Sequence, residues 1–541
     1  MVLTSGETRA AGAAALPPDP ISGRSGAFLV GLGILASRLA GLVRQRVLGH
    51  FLGVTTDAAD AFSAAFRIPN LLQNLFGEGA LSASFIPVYA GQLGRGDREG
   101  AARTAGAIGA LLGLAMAAAV LMGVLGAPLL VDVIAAGFAG PKRDLTVRLV
   151  RILFPGAGLL AFSAWCLGIL NSHRRFLLSY AAPVAWNVAI IAALLYGGGR
   201  TGADDLAVYA AWGSVLGSLL QVLVQLPTLR AVAGDLRFRV GATAEARTVI
   251  RNFTPALVGR GVAQLSAYVD VLLATLLPTG AVAGLLAAQV LYNLPVSLFG
   301  MSVAASELPA MSSMSGPGDE VARYLRGRLD RGLRHIAYYV VPSAAAFAGL
   351  GHMLVALLFQ SGAFSRDDTY FVWAILAGSA IGLLAQTMSR LYTSALYALG
   401  DPRSPVRFAL ARIALGATLG AVLAFAGPPL LGIDRRWGAA GLTAASGLAG
   451  WAEFALYRRA LARRVGTTGL LPGAIGLLWL SAVLAVGVTW GALLALPDAH
   501  PIVEGVLALG AFGATYLLLT TAFGVPESDG LWRRLGLRRG P

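Results

Sequence analysis

Charged residues inside apolar segments are the most informative feature of the first hundred residues. Arg38, Arg44, Asp60, Arg67 and Glu78 lie within two runs that are otherwise apolar enough to enter a bilayer. A charged side chain at the centre of a membrane helix costs at least about 2.5–3.5 kcal/mol, so such residues face a partner or water rather than lipid. They predict that something polar is handled inside the membrane.

The spacing in the first run places Arg44 on a stripe of small residues. Gly33, Ser37, Ala40 and Arg44 follow one another at intervals of four, three and four, so they share one helix face. Small residues permit close helix approach or leave space. We therefore predict that Arg44 points into the protein. Arg38 lies about 120° away around an ideal helix and need not share that site.

The second run carries a longer polar stripe. Asp60, Arg67, Asn74 and Glu78 are separated by seven, seven and four residues, which places them on one face. Pro69 lies inside the run and should kink it. The stripe predicts a hydrated cavity wall; the alternative is ion pairing with arginines of neighbouring helices that holds the bundle together.

The composition identifies a membrane protein with many spans. Of 541 residues, 56% are hydrophobic and only 13% are charged, and the mean hydropathy is +0.71. Since a spanning helix needs roughly 20 mainly apolar residues, the chain divides into about fourteen runs that predict an all-α fold. They lie near 26–53, 58–94, 102–137, 145–171, 179–199, 205–231, 247–277, 281–314, 333–360, 369–399, 404–427, 437–462, 470–496 and 501–524.

Arginines mark one side of the membrane. With a cytoplasmic N-terminus, the connections after even-numbered runs carry most of them, including Arg403, Arg407 and Arg412 after the tenth. This asymmetry follows the positive-inside rule, so both termini are predicted to be cytoplasmic. It also accounts for the net charge of +15 through anionic lipid headgroups, without nucleic acid.

The sequence shows no motif that is typical of a catalytic site. Residues 1–25 have no apolar signal core and predict a disordered cytoplasmic leader. The lone Cys166 lies in an apolar run, and no histidines are paired for a catalytic zinc site. Without paired carboxylates, a nucleophile triad or a P-loop, the sequence predicts a protein that is not an enzyme and has no cofactor.

Three motifs resemble the MurJ/MviN family of lipid II flippases, within the multidrug, oligosaccharidyl-lipid and polysaccharide exporter superfamily. They are SRLAGLVRQ at 37–45, TDAADAFSAAFRIPNLL at 56–72 and FGEGALSASFIPVYA at 76–90. The run count, LYTSALYALGDPRSP at 391–405 and the extra C-terminal helix pair extend the resemblance over the whole chain.

The resemblance implies an alternating-access transporter in the bacterial cytoplasmic (inner) membrane. Lipid II, an undecaprenyl-diphosphate-linked disaccharide-peptide, would cross through a cationic cavity, and cell-wall synthesis proteins would be partners. Two six-helix lobes are expected at 26–231 and 247–462. Helices 13 and 14, at 470–524, would hold the lipid tail, and 525–541 would form a basic cytoplasmic tail.

Guanidinium groups bind diphosphate oxygens in a fork geometry. Arg44 is therefore the first expected diphosphate contact, supported by Arg38 and Arg67.

The sequence departs from the family pattern at two cavity charges. Gln73 stands where family members place an arginine, and Val290 stands at a second arginine position. Arg260, with Gln264 one turn later, is a candidate replacement; the alternative is a structural pairing of Arg260 with Asp270 across a helix kink. Gln289 and Asn293, spaced by four residues, form an amide face of the predicted cavity.

The sequence says less about the energy source of transport. Asp270 and Glu453 are candidate sites for a coupling monovalent cation or proton, because ionisable groups inside membrane helices are usually functional. The membrane potential is the alternative driving force. Both carboxylates could equally be structural.

Two other functions compete with lipid II flipping. One is export of another polyprenyl-diphosphate-linked saccharide or of a drug-type substrate by the same superfamily. The other is a membrane scaffold without transport, which the lost charges at Gln73 and Val290 would suit.

Overall fold

The chain folds as a bundle of helices. The computed structural model describes residues 24–76, 84–173, 175–234, 244–304, 318–469, 472–494 and 500–534, with residues 81, 236, 238, 307 and 311. Within these residues the ordered structure is helical apart from one isolated bridge between Ser361 and Phe364. The all-α prediction is confirmed.

The described residues of the N-terminal half form eight helices, and each of the first six predicted runs includes at least one of them. Two of the eight, α3 and α5, are short continuations of the second and third runs. The helices are α1 (Arg24–Leu52), α2 (Asp57–Phe76), α3 (Ile86–Gly94), α4 (Arg98–Leu125), α5 (Ala127–Ile134), α6 (Gly140–Ser172), α7 (Phe176–Gly197) and α8 (Ala203–Val232).

The C-terminal half and the terminal segment follow the remaining predicted runs. The helices are α9 (Ala244–Thr275), α10 (Ala281–Pro295), α11 (Gly318–Gly349), α12 (Gly351–Phe359), α13 (Arg366–Ala398), α14 (Arg403–Ala421), α15 (Gly427–Leu431), α16 (Gly438–Val465), α17 (Pro472–Leu494), α18 (Pro501–Ala522) and α19 (Pro526–Arg534).

Not every long helix is apolar enough to count as a membrane span by composition. Among the described residues, eight helices meet the criteria of length and hydropathy. A ninth span results if α11 and α12, which are bent by 82° at their junction, are one broken span. The chain is therefore a multi-pass membrane protein, and the count of fourteen crossings and the lobe boundaries stay predictions.

Irregular turns interrupt two of the helices. A π-helical turn, Val296–Met301, follows Pro295 at the end of α10, and another, Val422–Ala426, follows α14. Proline has no backbone N–H to donate to the helix, so the hydrogen-bonding pattern must change at Pro295. Such turns often occur at functional sites.

Close helix packing in the C-terminal half depends on glycine. α13 packs along α16, and a Cβ atom at Gly382 would lie 2.4 Å from the Cα atom of Gly447. Any side chain there would push the two backbones apart. Glycine therefore sets the position of the α13 face that also carries Gln386 and Arg390.

Candidate functional site

A cavity of about 260 Å³ lies between the two halves of the molecule. We call it the central cavity. Its described polar lining comes from six helices: α2, α9, α10, α13, α14 and α16. The lining residues are Arg67, Asp270, Leu285, Gln289, Tyr292, Asn293, Val296, Ser379, Gln386, Arg390, Arg412, Leu442, Thr443, Ser446 and Gly447.

Arg67 reaches the central cavity from α2 and is oriented by neutral groups. Its Nη1 donates to Gln289 Oε1 at 3.0 Å, and the Tyr268 hydroxyl donates to the Arg67 carbonyl oxygen at 2.7 Å. Among the described residues no carboxylate lies within 4.0 Å of its side-chain nitrogens. The guanidinium is thus positioned without being neutralised.

Two further arginines line the same cavity. Arg390 on α13 makes no side-chain hydrogen bond or ion pair with any described residue. Arg412 on α14 pairs with Glu453, whose Oε2 lies 3.0 Å from its Nε. We expected Arg412 in a cytoplasmic connection, and this was wrong. It lies ten residues into α14, where a buried carboxylate stabilises its charge.

The two acids predicted as coupling sites have protein partners. Asp270 lines the central cavity and accepts from the Ser446 hydroxyl at 3.3 and 3.4 Å. Glu453 is 9% exposed and is held by Arg412. Neither arrangement tests ion coupling.

Asp60 lies away from the cavity and joins the two halves of the molecule. It is 1% exposed, and its carboxylate accepts from Lys142 Nζ at 2.8 Å. The backbone N–H groups of Gly280 and Ala283, at the start of α10, donate to the same carboxylate at 2.8 and 2.9 Å. Asp60 therefore caps a helix of the other half, where the helix dipole favours a negative charge.

The turn before α10 requires glycine. Gly280 has φ +100°, and a Cβ atom there would lie 3.0 Å from the Thr55 methyl carbon. Both the backbone conformation and the close approach of the α1–α2 connection favour a residue without a side chain.

Further bonds between the halves surround Asp60. Thr279 donates to Asp57 at 2.9 Å, and Thr55 donates to Asp368 at 2.9 Å. Asp368 also forms the capping box of α13 with Ser365. We call this set the latch. Its residues are Thr55, Asp57, Asp60, Lys142, Thr279, Gly280, Ala283 and Asp368.

The polar stripe predicted on α2 does not face one cavity. Arg67 lines the central cavity, whereas Asp60 lies in the latch and Asn74 is exposed outside the cavity lining. Seven residues of helix span about 10 Å, so residues on one face can meet different neighbours. Glu78 lies outside the described residues. Asp60 does not line the central cavity, and its expected cavity or gating role stays a prediction.

Arg44 occupies an aromatic pocket of the N-terminal half. Its guanidinium carbon lies 5.3 Å from the Phe66 ring centroid and 5.0 Å from that of Trp186. It is not part of the central cavity lining, and its expected contact with the diphosphate stays a prediction. Cation–π contact stabilises a buried guanidinium without an acid. Arg38 is exposed.

The remaining predicted residues divide between the cavity and the part of the chain without described side chains. Gln289 and Asn293 both line the central cavity, as the amide-face prediction placed them. Arg260 and Gln264 belong to α9, but their side chains lie outside the described residues, so their roles stay predictions.

The spacing of polar residues on α13 was not used to predict the cavity. Ser379, Gln386 and Arg390 follow at intervals of seven and four residues, which is the same spacing that singled out the stripe on α2. Applying that rule to the tenth run would have found them. Arg412 has no such signal, because its partner Glu453 lies on another helix.

No metal centre is visible in the parts of the chain that the structure describes. No group of three or more His, Cys, Asp or Glu side chains there could hold a metal ion.

Comparison with known proteins gives consistent matches. The family model "Lipid II flippase MurJ" matches residues 48–503. A probable lipid II flippase MurJ from Rhizobium tropici is 31% identical, covering 95% of this chain and 96% of that protein. Lipid II flippase MurJ from Burkholderia cenocepacia is 32% identical over 70% of this chain and 73% of that protein.

Solved structures share the fold at lower identity. "Lipid II flippase MurJ, inward closed conformation" gives a TM-score of 0.74 at 20% identity, covering 94% of this chain and 99% of that one. An inward-facing multidrug resistance MATE family transporter of the MOP superfamily gives 0.63 at 15% identity, covering 82% and 100%. These likenesses extend over both halves of the bundle.

Proposed function

This chain belongs to the MurJ family of lipid II flippases, and from that membership we propose that it carries lipid II from the inner to the outer leaflet of the bacterial cytoplasmic membrane. The proposed route is alternating access through the central cavity. The observation that carries the proposal is the cavity lining, in which Arg67, Arg390 and Arg412 outnumber Asp270, the single acid among the described lining residues.

The excess of arginine suits the diphosphate of a polyprenyl-linked precursor. A diphosphate that leaves the headgroup region loses water, and buried guanidinium groups can replace it with charge-assisted hydrogen bonds. Arg67 and Arg390 are the proposed diphosphate ligands, because neither is held by a described carboxylate. Arg412 contributes charge from a fixed position beside Glu453.

Neutral polar groups in the same cavity suit the sugars of the cargo. Gln289, Gln386 and Asn293 present amides to the cavity, and the buried hydroxyl of Tyr292 has no partner among the described residues. An unpaired buried hydroxyl is unfavourable until a ligand or water satisfies it. We assign these groups to the saccharide.

An apolar groove of about 410 Å³ could hold the polyprenyl tail. It lies between α10, α11 and α18, and Leu298, Phe299, Tyr339, Phe512 and Leu517 are among its lining residues. The described lining includes α18 but no residue of α17, so we propose that α18 carries the tail with the C-terminal half. This refines the expectation of a groove formed by helices 13 and 14 together.

Release at the opposite leaflet requires the latch to open. The Asp60 bonds to Gly280 and Ala283, and the Thr55 bond to Asp368, all run between the two halves. We propose that the latch closes the periplasmic end while cargo enters from the cytoplasmic side. A cation gradient acting at Asp270, or the membrane potential, is the proposed source of energy.

The test is rescue of a bacterium depleted of its own lipid II flippase, with surface lipid II measured directly. Wild type should rescue. Arg67→Ala and Arg390→Ala should each weaken cargo binding by about 10- to 150-fold, since a hydrogen bond to a charged group contributes about 1.5–3 kcal/mol. Arg407→Ala is the matched control, because Arg407 is exposed and does not line the central cavity, and it should rescue fully.

Each outcome has a separate meaning. Failure of a correctly inserted wild type would exclude lipid II as cargo and favour another polyprenyl-diphosphate-linked saccharide or a scaffold. Rescue by both cavity variants at wild-type level would exclude the proposed diphosphate site while leaving the cargo intact.

A further inference from the structure

A second cavity, of about 670 Å³, shares no described lining residue with the central cavity. It is enclosed by α11, the end of α16, the start of α17 and the segment that joins α18 to α19. We call it the basal cavity. Among the described residues, its charged lining consists of Asp330, Arg334, Arg458 and Glu527.

The charged groups of the basal cavity are only partly engaged with one another. Arg334 Nε lies 3.7 Å from Glu527 Oε1, well beyond the 2.7–2.9 Å of a strong charge-assisted hydrogen bond. The Arg458 side chain makes no hydrogen bond or ion pair with any described residue. Asp330 accepts a hydrogen bond from the Gly469 N–H at 2.9 Å through Oδ1, which leaves Oδ2 available to a ligand. Both cations and both anions can therefore bind a further group.

The basal cavity is also lined by apolar side chains. Ile475, Leu477 and Leu478 come from α17, and Phe523 and Val525 follow α18. A cavity lined by both charged groups and hydrocarbon suits an amphiphile rather than a soluble ion.

We expect these charges to lie near the lipid headgroups. Arg334 is the second residue of a predicted membrane run, and Arg458 lies four residues before the end of another. Glu527 follows α18 in the short helix α19. Charged residues at the ends of membrane helices meet the headgroup layer.

We propose that the basal cavity binds a membrane phospholipid with a zwitterionic headgroup, such as phosphatidylethanolamine. The phosphate binds Arg458 and Arg334, the ammonium binds Glu527 and Asp330, and the acyl chains lie against α17. The two arginines and two acids sum to zero formal charge, so the cavity matches a headgroup that carries both signs. This site lies outside the proposed transport route and does not depend on the cargo.

The test measures lipid retained by the purified full-length chain, using native mass spectrometry with four additives. These are phosphatidylethanolamine, phosphatidylglycerol, diacylglycerol and the soluble headgroup glycerophosphoethanolamine. We expect phosphatidylethanolamine to bind at least tenfold more tightly than each of the others. Arg458→Ala should lower its affinity at least tenfold, and Arg458→Lys should restore most of it.

Neighbouring residues supply the controls. Arg459→Ala changes the adjacent exposed arginine, which does not line the basal cavity, and should leave binding unchanged. Glu527→Gln should weaken phosphatidylethanolamine and spare phosphatidylglycerol, because only the former offers an ammonium. Thermal unfolding of each variant confirms that it is folded.

Several results would overturn the proposal. Equal binding of diacylglycerol would show an apolar site without headgroup recognition. Equal binding of the soluble headgroup would show a phosphoester site that needs no membrane lipid. An equal loss of phosphatidylethanolamine affinity in Arg458→Ala and Arg459→Ala would show that the lipid does not bind in the basal cavity.

Discussion

The latch and the central cavity both hold charge inside the protein, but they treat it in opposite ways. In the latch, the Asp60 carboxylate receives bonds from Lys142, Gly280 and Ala283 within 2.9 Å. In the cavity, Arg67 is held by an amide, and Arg390 has no described side-chain partner. Satisfied charge stabilises one conformation, whereas charge without an acid remains available to a ligand.

The difference also separates the contributions of the two halves. The latch takes its charges from α2, α6 and α13 and its backbone donors from the start of α10. The cavity takes most of its charged groups from the C-terminal half. α2, α10 and α13 contribute to both regions, so opening the latch and reshaping the cavity must be coupled through these three helices.

Removing Asp60 should have the largest effect on stability. Asp60→Ala leaves Asp57 as the one described acid beside the Lys142 ammonium, and it removes the acceptor of the Gly280 and Ala283 amides. Because breaking a buried pair costs about 3–5 kcal/mol, we expect a large fall in the free energy of unfolding in detergent. Asp57→Ala is the control. The Asp57 side chain is 60% exposed, so its loss should cost no more than about 1 kcal/mol. Equal effects would contradict the latch.

Replacing Lys142 by arginine should have the next largest effect. The Lys142 ammonium lies within 3.3 Å of oxygens of Asp60, Asp57 and Thr279 and 4.4 Å from the Phe138 ring centroid. A planar guanidinium is larger and cannot direct its donors in that pattern. Lys142→Arg should destabilise the protein by about 1–3 kcal/mol, through overpacking, in the same unfolding measurement. An unchanged stability would show that only the charge matters.

Neutralising Glu453 should strengthen anion binding in the central cavity. Glu453→Gln frees Arg412 from its carboxylate and makes the central cavity more positive by one charge. With an effective dielectric constant of about 20, the gain in anion binding is on the order of 1 kcal/mol, or about fivefold. Titration of the purified chain with a short isoprenyl diphosphate measures it. Asp60→Asn, which neutralises a latch acid, should not strengthen binding, and a weaker affinity in Glu453→Gln would refute the proposed role.

The smallest effect is expected for an acid in neither region. In the connection after α13, hydrogen bonds from the Ser404 hydroxyl and amide, and then the Arg464 guanidinium, lower the pKa of Asp401 to about 2. A lowered pKa stabilises the folded state above the unfolded pKa of about 3.9. The stability difference between wild type and Asp401→Asn should therefore be constant from pH 5 to 8 and vanish as the pH falls toward 2. A difference that changes between pH 5 and 8 would contradict this assignment.

Helical spacing predicted those site residues whose neighbours lie on the same helix. The stripe on α2 identified Arg67, and the four-residue interval on α10 identified Gln289 and Asn293, all of which line the cavity. The all-α class followed from composition and run length. These properties depend on local periodicity, which the sequence displays directly.

The rest depends on contacts between distant segments. The latch contacts of Asp60 were not predicted, because nothing on α2 indicates that Lys142, 82 residues later, and Gly280, 220 residues later, would meet it. The aromatic pocket of Arg44 was not predicted either, because Phe66 and Trp186 lie on other helices. Periodicity shows which way a residue faces along its helix, but the identity of its neighbour is decided by packing.

Lys142 is the only lysine in the sequence. Its ammonium is bound in the latch, and its side chain is only 11% exposed. An amine-acylating reagent therefore has a single lysine target, whose reactivity depends on whether the two halves are joined at that end. Acylation kinetics and endoproteinase Lys-C cleavage could thus report the open fraction of unlabelled wild-type protein in native membranes, without introducing a cysteine or a fluorophore.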